Sequence, residues 1–335
     1  MPLLPPLVAL EKGRWVKLIC GASYQDLPAI RNLVLVYSLA GVHCIDGAAD
    51  LAVLGAIREG MAAARRWRES QNLPAQGDPW LMVSLNDGED PHFRKAVFDP
   101  RHCPPACPRP CEAVCPAQAI NHQGVIEHKC YGCGRCLPVC PLGLIGAEAR
   151  QIRPAEVLPW LEAGLVDAVE LHTQTGRERE FQILWTQLRP GAENLKLLSV
   201  SCPYHPEVLG YLQKIYPILN PLPLPLIWQT DGRPMSGDIG KGATQPAIRF
   251  AQGVLNAGLP GFIQLAGGVN AHTVPKLKEL GLLNGAGPFV NGLAYGSYAR
   301  VLLQDLLPET EPLERYPDRL KMALERAGQI SAISE

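Results

Sequence analysis

Between Cys103 and Cys140, a stretch of 38 residues holds eight of the chain's eleven cysteines, and each of its two runs ends in Cys-Pro. The second run reads Cys130-Tyr-Gly-Cys133-Gly-Arg-Cys136-Leu-Pro-Val-Cys140-Pro141. This is the spacing with which bacterial ferredoxins hold a cubic iron–sulfur cluster: three thiolates close together in one loop, and a fourth, before a proline, turned toward a second cluster. The first run, Cys103-Pro-Pro-Ala-Cys107-Pro-Arg-Pro-Cys111-Glu-Ala-Val-Cys115-Pro116, keeps the ending but widens the earlier intervals from two residues to three. Two clusters are therefore expected: a 4Fe–4S cluster on the second run, and on the first either a 4Fe–4S cluster or a 3Fe–4S cluster with one iron missing. Crossed ligation, usual in two-cluster ferredoxins, assigns Cys130, Cys133, Cys136 and Cys115 to one cluster and Cys103, Cys107, Cys111 and Cys140 to the other.

Two plainer readings compete. A zinc site needs only four ligands and usually shows two separated Cys-x2-Cys pairs. A disulfide framework belongs to small secreted chains, whereas this one has 335 residues and an apolar start that lacks a basic leader and is broken by prolines. No apolar run approaches the ~18 residues of a spanning helix, so a soluble, cytoplasmic protein is expected. With 31 basic and 32 acidic residues the net charge is −1, which offers no general attraction to nucleic acid or anionic membrane.

Outside the cysteine stretch, short runs rich in Val, Ile and Leu alternate with segments of helical period, the mark of βα units around a parallel sheet. Strands are expected at Val16–Cys20, Val42–Ile45, Trp80–Leu85, Ala168–Leu171, Leu195–Val200, Leu224–Gln229, Phe262–Leu265 and Phe289–Leu293. Helices begin after the caps Asp26 and Asp50 and recur between the later strands. Less an insert of about sixty residues, the chain leaves roughly 275, close to the ~250 typical of a (β/α)8 barrel. No Gly-x-Gly-x-x-Gly opens the first helix, which argues against a doubly wound open sheet. The expected architecture is thus an α/β, TIM-like (β/α)8 barrel with a ferredoxin-like two-cluster module inserted after strand three. Residues 1–88 form three βα units, 89–150 the module, 151–307 the other five units, and 308–335 a polar tail with a helix near Asp318–Ala327.

In such a barrel, function gathers at the carboxyl ends of the strands. The residues read there are Ser23, Asp46, Asn86, Glu170 with His172, Cys202, Gln229 with Asp231, Gly267 with Gly268, and Asn291 with Gly292. Lys17, inside the first strand, is expensive to bury unpaired and is expected to meet Asp46 or Glu170. The glycine-rich stretch 229–244, Gly267, Gly268, Asn291 and Gly292 could hold a phosphate group such as that of flavin mononucleotide (FMN), or simply make tight βα turns. Cys20, Cys44 and Cys202 read as core cysteines rather than reactive ones.

Three stretches carry a resemblance to a known family: residues 15–32, the two cysteine runs, and Thr230-Asp-Gly-Arg-Pro-Met-Ser-Gly-Asp-Ile-Gly240. Through them nearly the whole chain resembles the light-dependent period (LdpA) family of cyanobacteria and its plastid relatives. The resemblance implies an iron–sulfur protein that reports light-dependent redox state to the circadian clock, in contact with Kai proteins and an input histidine kinase. The residues themselves also allow an oxidoreductase in which the clusters feed a flavin at the barrel mouth, although neither a nicotinamide site nor a clear acid–base pair is legible.

Overall fold

The structure is a computed structural model that describes residues 4–20, 27–74, 76–88, 94–115, 117–127, 129–130, 132–232, 242–283, 287–308 and 310–331. Ser23, the expected cap Asp26, and residues 233–241 of the glycine-rich stretch lie outside the described residues.

The strands run in the order β1 (Trp15–Ile19), β2 (Cys44–Ala48), β3 (Trp80–Asn86), β4 (Arg94–Val97), β5 (Ile120–Asn121), β6 (Gly124–Val125), β7 (Gly146–Ala149), β8 (Ala168–His172), β9 (Leu197–Pro203), β10 (Leu226–Asp231), β11 (Phe262–Ala266) and β12 (Gly292–Tyr295). Eight of them close into a barrel in the order β1-β12-β11-β10-β9-β8-β3-β2, and every barrel pairing is parallel. This is a TIM-like (β/α)8 barrel. The other four strands form two small antiparallel sheets, β4 with β7 and β5 with β6. They build the cysteine module, which occupies the connection between β3 and β8.

Alternation along each strand sorts the side chains into two sets. Residues such as Val16, Leu18, Ile45, Val83, Val169, Val200 and Leu265 face outward and form one core with the surrounding helices. Trp15, Cys44, Met82, Ala168, Leu197 and Ile227 face inward and fill the amino-terminal end of the barrel. That floor is sealed from below by helix α1 (Pro6–Glu11), whose Leu10 is fully buried among them. The apolar opening of the chain is thus a plug.

Helix α2 (Leu27–Ala40) and helix α3 (Leu51–Ser70) follow the first two strands. Asp50 caps α3, its Oδ1 accepting from the backbone N–H of Ala52 at 2.9 Å and of Val53 at 3.4 Å. The tail, read as polar with a helix near Asp318–Ala327, forms the helix Pro317–Ser331, but one face of it is buried through Leu320, Ala323, Ala327 and Ile330. Arg31 of α2 pairs with Glu314 just before that helix, and the buried Asn32 accepts from the Leu313 N–H at 3.1 Å. The carboxyl-terminal segment is therefore part of the outer helical layer. Among the described residues, no helix is long and apolar enough to cross a membrane.

The second, fifth and sixth barrel strands begin two residues later than the sequence suggests, and the eighth begins three later. The apolar run Phe289–Leu293 marks the eighth strand, but the ladder begins only at Gly292 and ends at Tyr295. Val290 is buried in the turn below, where its N–H bonds the Leu282 carbonyl. Asn291 and Gly292 consequently sit at the amino end of the barrel, opposite the mouth. There the Asn291 side chain accepts from the Ile263 N–H at 2.9 Å and donates to the Leu10 carbonyl at 3.3 Å. A Cβ on Gly292 would lie 2.4 Å from the Trp15 ring, so this glycine makes room for an indole.

Candidate functional site

The module is held together by a small core of Cys111, Ile120, Cys136 and Ile145, with Phe98, Val125, Leu137 and Val139 packed on it. Its eight cysteines are free thiols that fall into two sets. Cys103, Cys107 and Cys111 from the first run line one recess together with Cys140 from the second, closed on its inner side by Phe98 and Ile145. The Cys111 thiol is raised by burial and, beyond that, by the nearness of Cys140 and Cys103. Around the other set, burial together with Cys133, Cys130 and Cys115 pushes the Cys136 thiol up to about 11. Burial, Cys115 and Cys130 likewise raise Cys133. The chain thus brings together Cys103, Cys107, Cys111 and Cys140 on one side and Cys115, Cys130, Cys133 and Cys136 on the other, the crossed sets read from the spacing.

The two crossing cysteines are treated alike by the backbone. Cys115 Sγ accepts from the Ala119 N–H at 3.2 Å, and Cys140 Sγ accepts from the Leu144 N–H at 3.4 Å, each four residues on. Around Cys140, burial counts for less than the backbone N–H groups of residues 142–145, which hold its thiol below the ordinary value. Such donors favour thiolate and are the usual means of tuning a bound cluster. Among the described residues, no three His, Cys, Asp or Glu side chains converge as the ligands of a single metal ion would. Thiols spread around a recess suit a polynuclear cluster, in which each thiolate takes a different iron, better than they suit zinc. Gly132, between Cys130 and Cys133, has φ +79°, and a Cβ there would lie 2.1 Å from the Arg94 carbonyl oxygen. The loop can therefore close around its cysteines only with glycine at that position.

The module rests on the barrel through Ala117, Cys133 and Ile152, which pack against the main core. Lys95 of β4 ties the two parts together, its Nζ 3.2 Å from Asp50 Oδ2 and 3.0 Å from the Glu127 carbonyl oxygen. The Cys133 set therefore lies on the barrel side, and the Cys103 set lies away from it.

Above its apolar floor, the barrel interior is polar. Lys17 is fully buried, with Nζ 2.5 Å from Glu170 Oε2, 3.4 Å from Asp46 Oδ2 and 3.7 Å from the Met82 sulfur. Burial works against the ammonium, but Glu170 and then Asp46 outweigh it and hold Lys17 charged above the usual lysine range. Glu170 also accepts from Ser199 Oγ at 2.8 Å and Gln229 Nε2 at 2.8 Å, and it stands 3.1 Å from His172 Nε2. Burial opposes its charge, yet Lys17 and His172 keep it ionised well below the normal carboxylate range. Asp46 accepts from Ser84 Oγ at 2.9 Å; burial raises it to about 6, with Lys17 pulling down and Glu170 pushing up. Burial disfavours the His172 cation, but Glu170, then Asp231 and Asp46, raise it to about 9. Asp231 is bonded by Ser201, and burial, followed by Glu170, raises its carboxyl. Gln264 links Gln229 to the Trp15 indole, which donates to Gln264 Oε1 at 2.6 Å.

Of the mouth residues read from the sequence, the structure brings together Lys17, Asp46, Glu170, His172, Gln229 and Asp231. It separates Gly267 and Gly268, which follow β11 at the mouth, from Asn291 and Gly292 at the opposite end. A Cβ on Gly268 would lie 2.2 Å from the Ala243 carbonyl oxygen, so close packing of two loops accounts for this glycine. Ser84, Ser199, Ser201 and Gln264 were not singled out in the sequence. Only Ser84 had a signal in the alternation, since it shares the inward face of β3 with Asn86; on β9 the residue read from the sequence, Cys202, faces outward with Leu198 and Val200.

Comparison with known proteins adds the following. A family model described as "LdpA Fe-S cluster-binding domain" matches residues 103–151, and one described as "Light dependent period A C-terminal domain" matches residues 160–332. The chain is 53% identical over 327 residues to "Light dependent period A" of Synechococcus elongatus, covering 96% of this chain and 91% of that one. It is also 33% identical over 81 residues to a formate dehydrogenase iron–sulfur subunit of Wolinella succinogenes, covering 23% of this chain and 39% of that protein. A third match, 45% over 52 residues, is to an uncharacterised ferredoxin of Methanocaldococcus jannaschii, covering 14% of this chain and 30% of that protein. The module is an iron–sulfur cluster-binding domain, and the barrel carries it.

Proposed function

The chain belongs to the light dependent period A family, and from that premise we propose that it is a two-cluster redox sensor that relays light-dependent redox state to the circadian clock. The observation that carries the reading is the gathering of eight cysteines into two crossed sets in one compact module fixed to the barrel. When bound, each cluster stores or releases one electron. One set of thiolates belongs to a 4Fe–4S cluster, and the widened spacing of the first run leaves its cluster as 4Fe–4S or 3Fe–4S. The chain's own contribution is to shield the inner set, to aim backbone N–H groups at Cys115 and Cys140, and to couple the module to the barrel through Lys95 and Asp50. A change of charge beside that junction alters local packing by the few kcal/mol that suffice to bias a contact with a partner. The proposed partners are the Kai proteins and an input histidine kinase, met in the cytoplasm.

The test is the affinity of anaerobically purified, iron-replete protein for each clock partner in its oxidised and reduced forms. A several-fold difference for at least one partner supports the sensor; equal affinities for all of them refute it.

A second reading is favoured by the polar layer around Lys17, Glu170 and His172. In that reading the mouth is the active site of a flavin- and iron–sulfur-dependent oxidoreductase, fed by the inner cluster. The separation of Gly268 from Gly292 counts against the two-loop phosphate cradle that the sequence allowed for FMN. Flavin released by acid, counted per chain beside iron and sulfide, decides between the readings: near-stoichiometric flavin favours the oxidoreductase, and none leaves the clusters as the redox centres.

A further inference from the structure

The two faces of the module differ. Toward the barrel, Ala117, Cys133 and Ile152 are packed on the core, and Lys95 is tied down by Asp50 and Glu127. On the far side, the recess of Cys103, Cys107, Cys111 and Cys140 is bordered by exposed Pro141 and Leu142, with Leu142 53% exposed. A leucine left so open directly beside a ligand cysteine forms the apolar centre of a small surface that can shed its water on contact.

Charge says what kind of surface meets it. Residues 94–151 contain seven Lys and Arg against four Asp and Glu, whereas the whole chain carries −1, so the module is basic and the remainder acidic. Arg101, two residues before Cys103, has an 86% exposed side chain, and Arg109 lies between Cys107 and Cys111. Their pairs with Asp99 and Glu112 are surface pairs, which hold little free energy and yield readily to carboxylates brought by a partner.

We infer that this face docks a small acidic one-electron carrier protein, and that electrons enter the chain through the cluster held by Cys103, Cys107, Cys111 and Cys140. The inference rests on the two-cluster reading and deepens it by giving the path a direction: outer set first, barrel-side set second. In each encounter the carrier is oxidised by one electron, the outer cluster is reduced by one, and no proton or further reactant is needed. A small apolar centre with a basic rim suits the task, because redox encounters bury little area and rely on charge steering for speed rather than on affinity.

The test uses the full chain, anaerobic and iron-replete, with an acidic plant-type [2Fe–2S] ferredoxin as the probe. Stopped-flow reduction of the chain by reduced ferredoxin is expected to slow roughly tenfold or more from low to high salt, as steered encounters do. Arg101→Ala and, more strongly, Arg101→Glu are expected to slow it several-fold while leaving iron content and reduction by dithionite unchanged. Calorimetry on the oxidised proteins should show the same salt-sensitive binding, and freeze-quenched EPR should show the outer cluster reduced first in a Cys115→Ser background as well as in the parent. A salt-independent rate, variants that react like the parent, inner-first reduction, or no reduction by ferredoxin of protein that dithionite reduces would each overturn the docking site. Protein that binds no clusters, or whose clusters dithionite cannot reduce, would instead overturn the sensor reading beneath it.

Discussion

Lys17 shows how one side chain can commit a barrel interior. Its ammonium is fully buried and satisfied only because Glu170 and Asp46 stand on either side. Removing one member of such a group strands the others, so Lys17→Met is expected to cost about 3–5 kcal/mol in chemical denaturation, with part of the loss recovered by adding Glu170→Gln. His172 gives a pH signature. Its imidazole is raised from 6.5 to about 9 in the fold, so its contribution is fully present below pH 6.5 and is lost as pH rises through 9. Stability measured from pH 6 to 10 should therefore fall on the alkaline side, and His172→Gln should flatten that fall. Lys17 was legible in the sequence because a cation inside an apolar strand demands a partner. Ser84, Ser199 and Ser201 were not, because a serine in a strand carries no such demand until the opposite wall of the barrel is known.

At the scale of elements, the crossing of the two cysteine runs makes the sharpest prediction. Cys140→Ser changes a residue of the second run, yet it should abolish or convert the cluster of Cys103, Cys107 and Cys111 and leave the other EPR signal in place. Gly132→Ala should reduce bound iron per chain, because a left-handed backbone costs about 1–2 kcal/mol with a side chain and the added methyl overlaps the Arg94 carbonyl. The bounds of α3 were readable from Asp50 at its start and from the apolar period within it. The eighth strand was not. Phe289 and Val290 look like a strand, but the ladder forms on Gly-Leu-Ala-Tyr, which lacks β-branched residues and is held by pairing with β1 and β11. That shift of three residues carried Asn291 and Gly292 from the expected mouth to the floor.

For the whole molecule, the eight-unit barrel could be read from the alternation of its segments, while the closure of its floor by Leu10 and the docking of the final helix on the outer layer depend on contacts between the two ends of the chain. The module is joined to this frame at few points. Lys95→Met is expected to loosen the junction by about 1.5–3 kcal/mol, seen as faster hydrogen exchange in the module with the barrel unchanged. Stripping the iron with a chelator should unfold the module while far-UV circular dichroism still reports the barrel, because β3 and β8 pair directly from Met82 with Ala168 to Asn86 with His172.

That direct pairing has a historical consequence. The cysteine module leaves the barrel after one strand and returns before its immediate neighbour, so the frame is closed whether or not the detour exists. An ancestral gene could have acquired the metal-binding cassette in a single insertion, without passing through a form unable to fold. Descendants could discard or exchange it as easily, and relatives that keep the frame but bear a different cargo at this junction are to be expected.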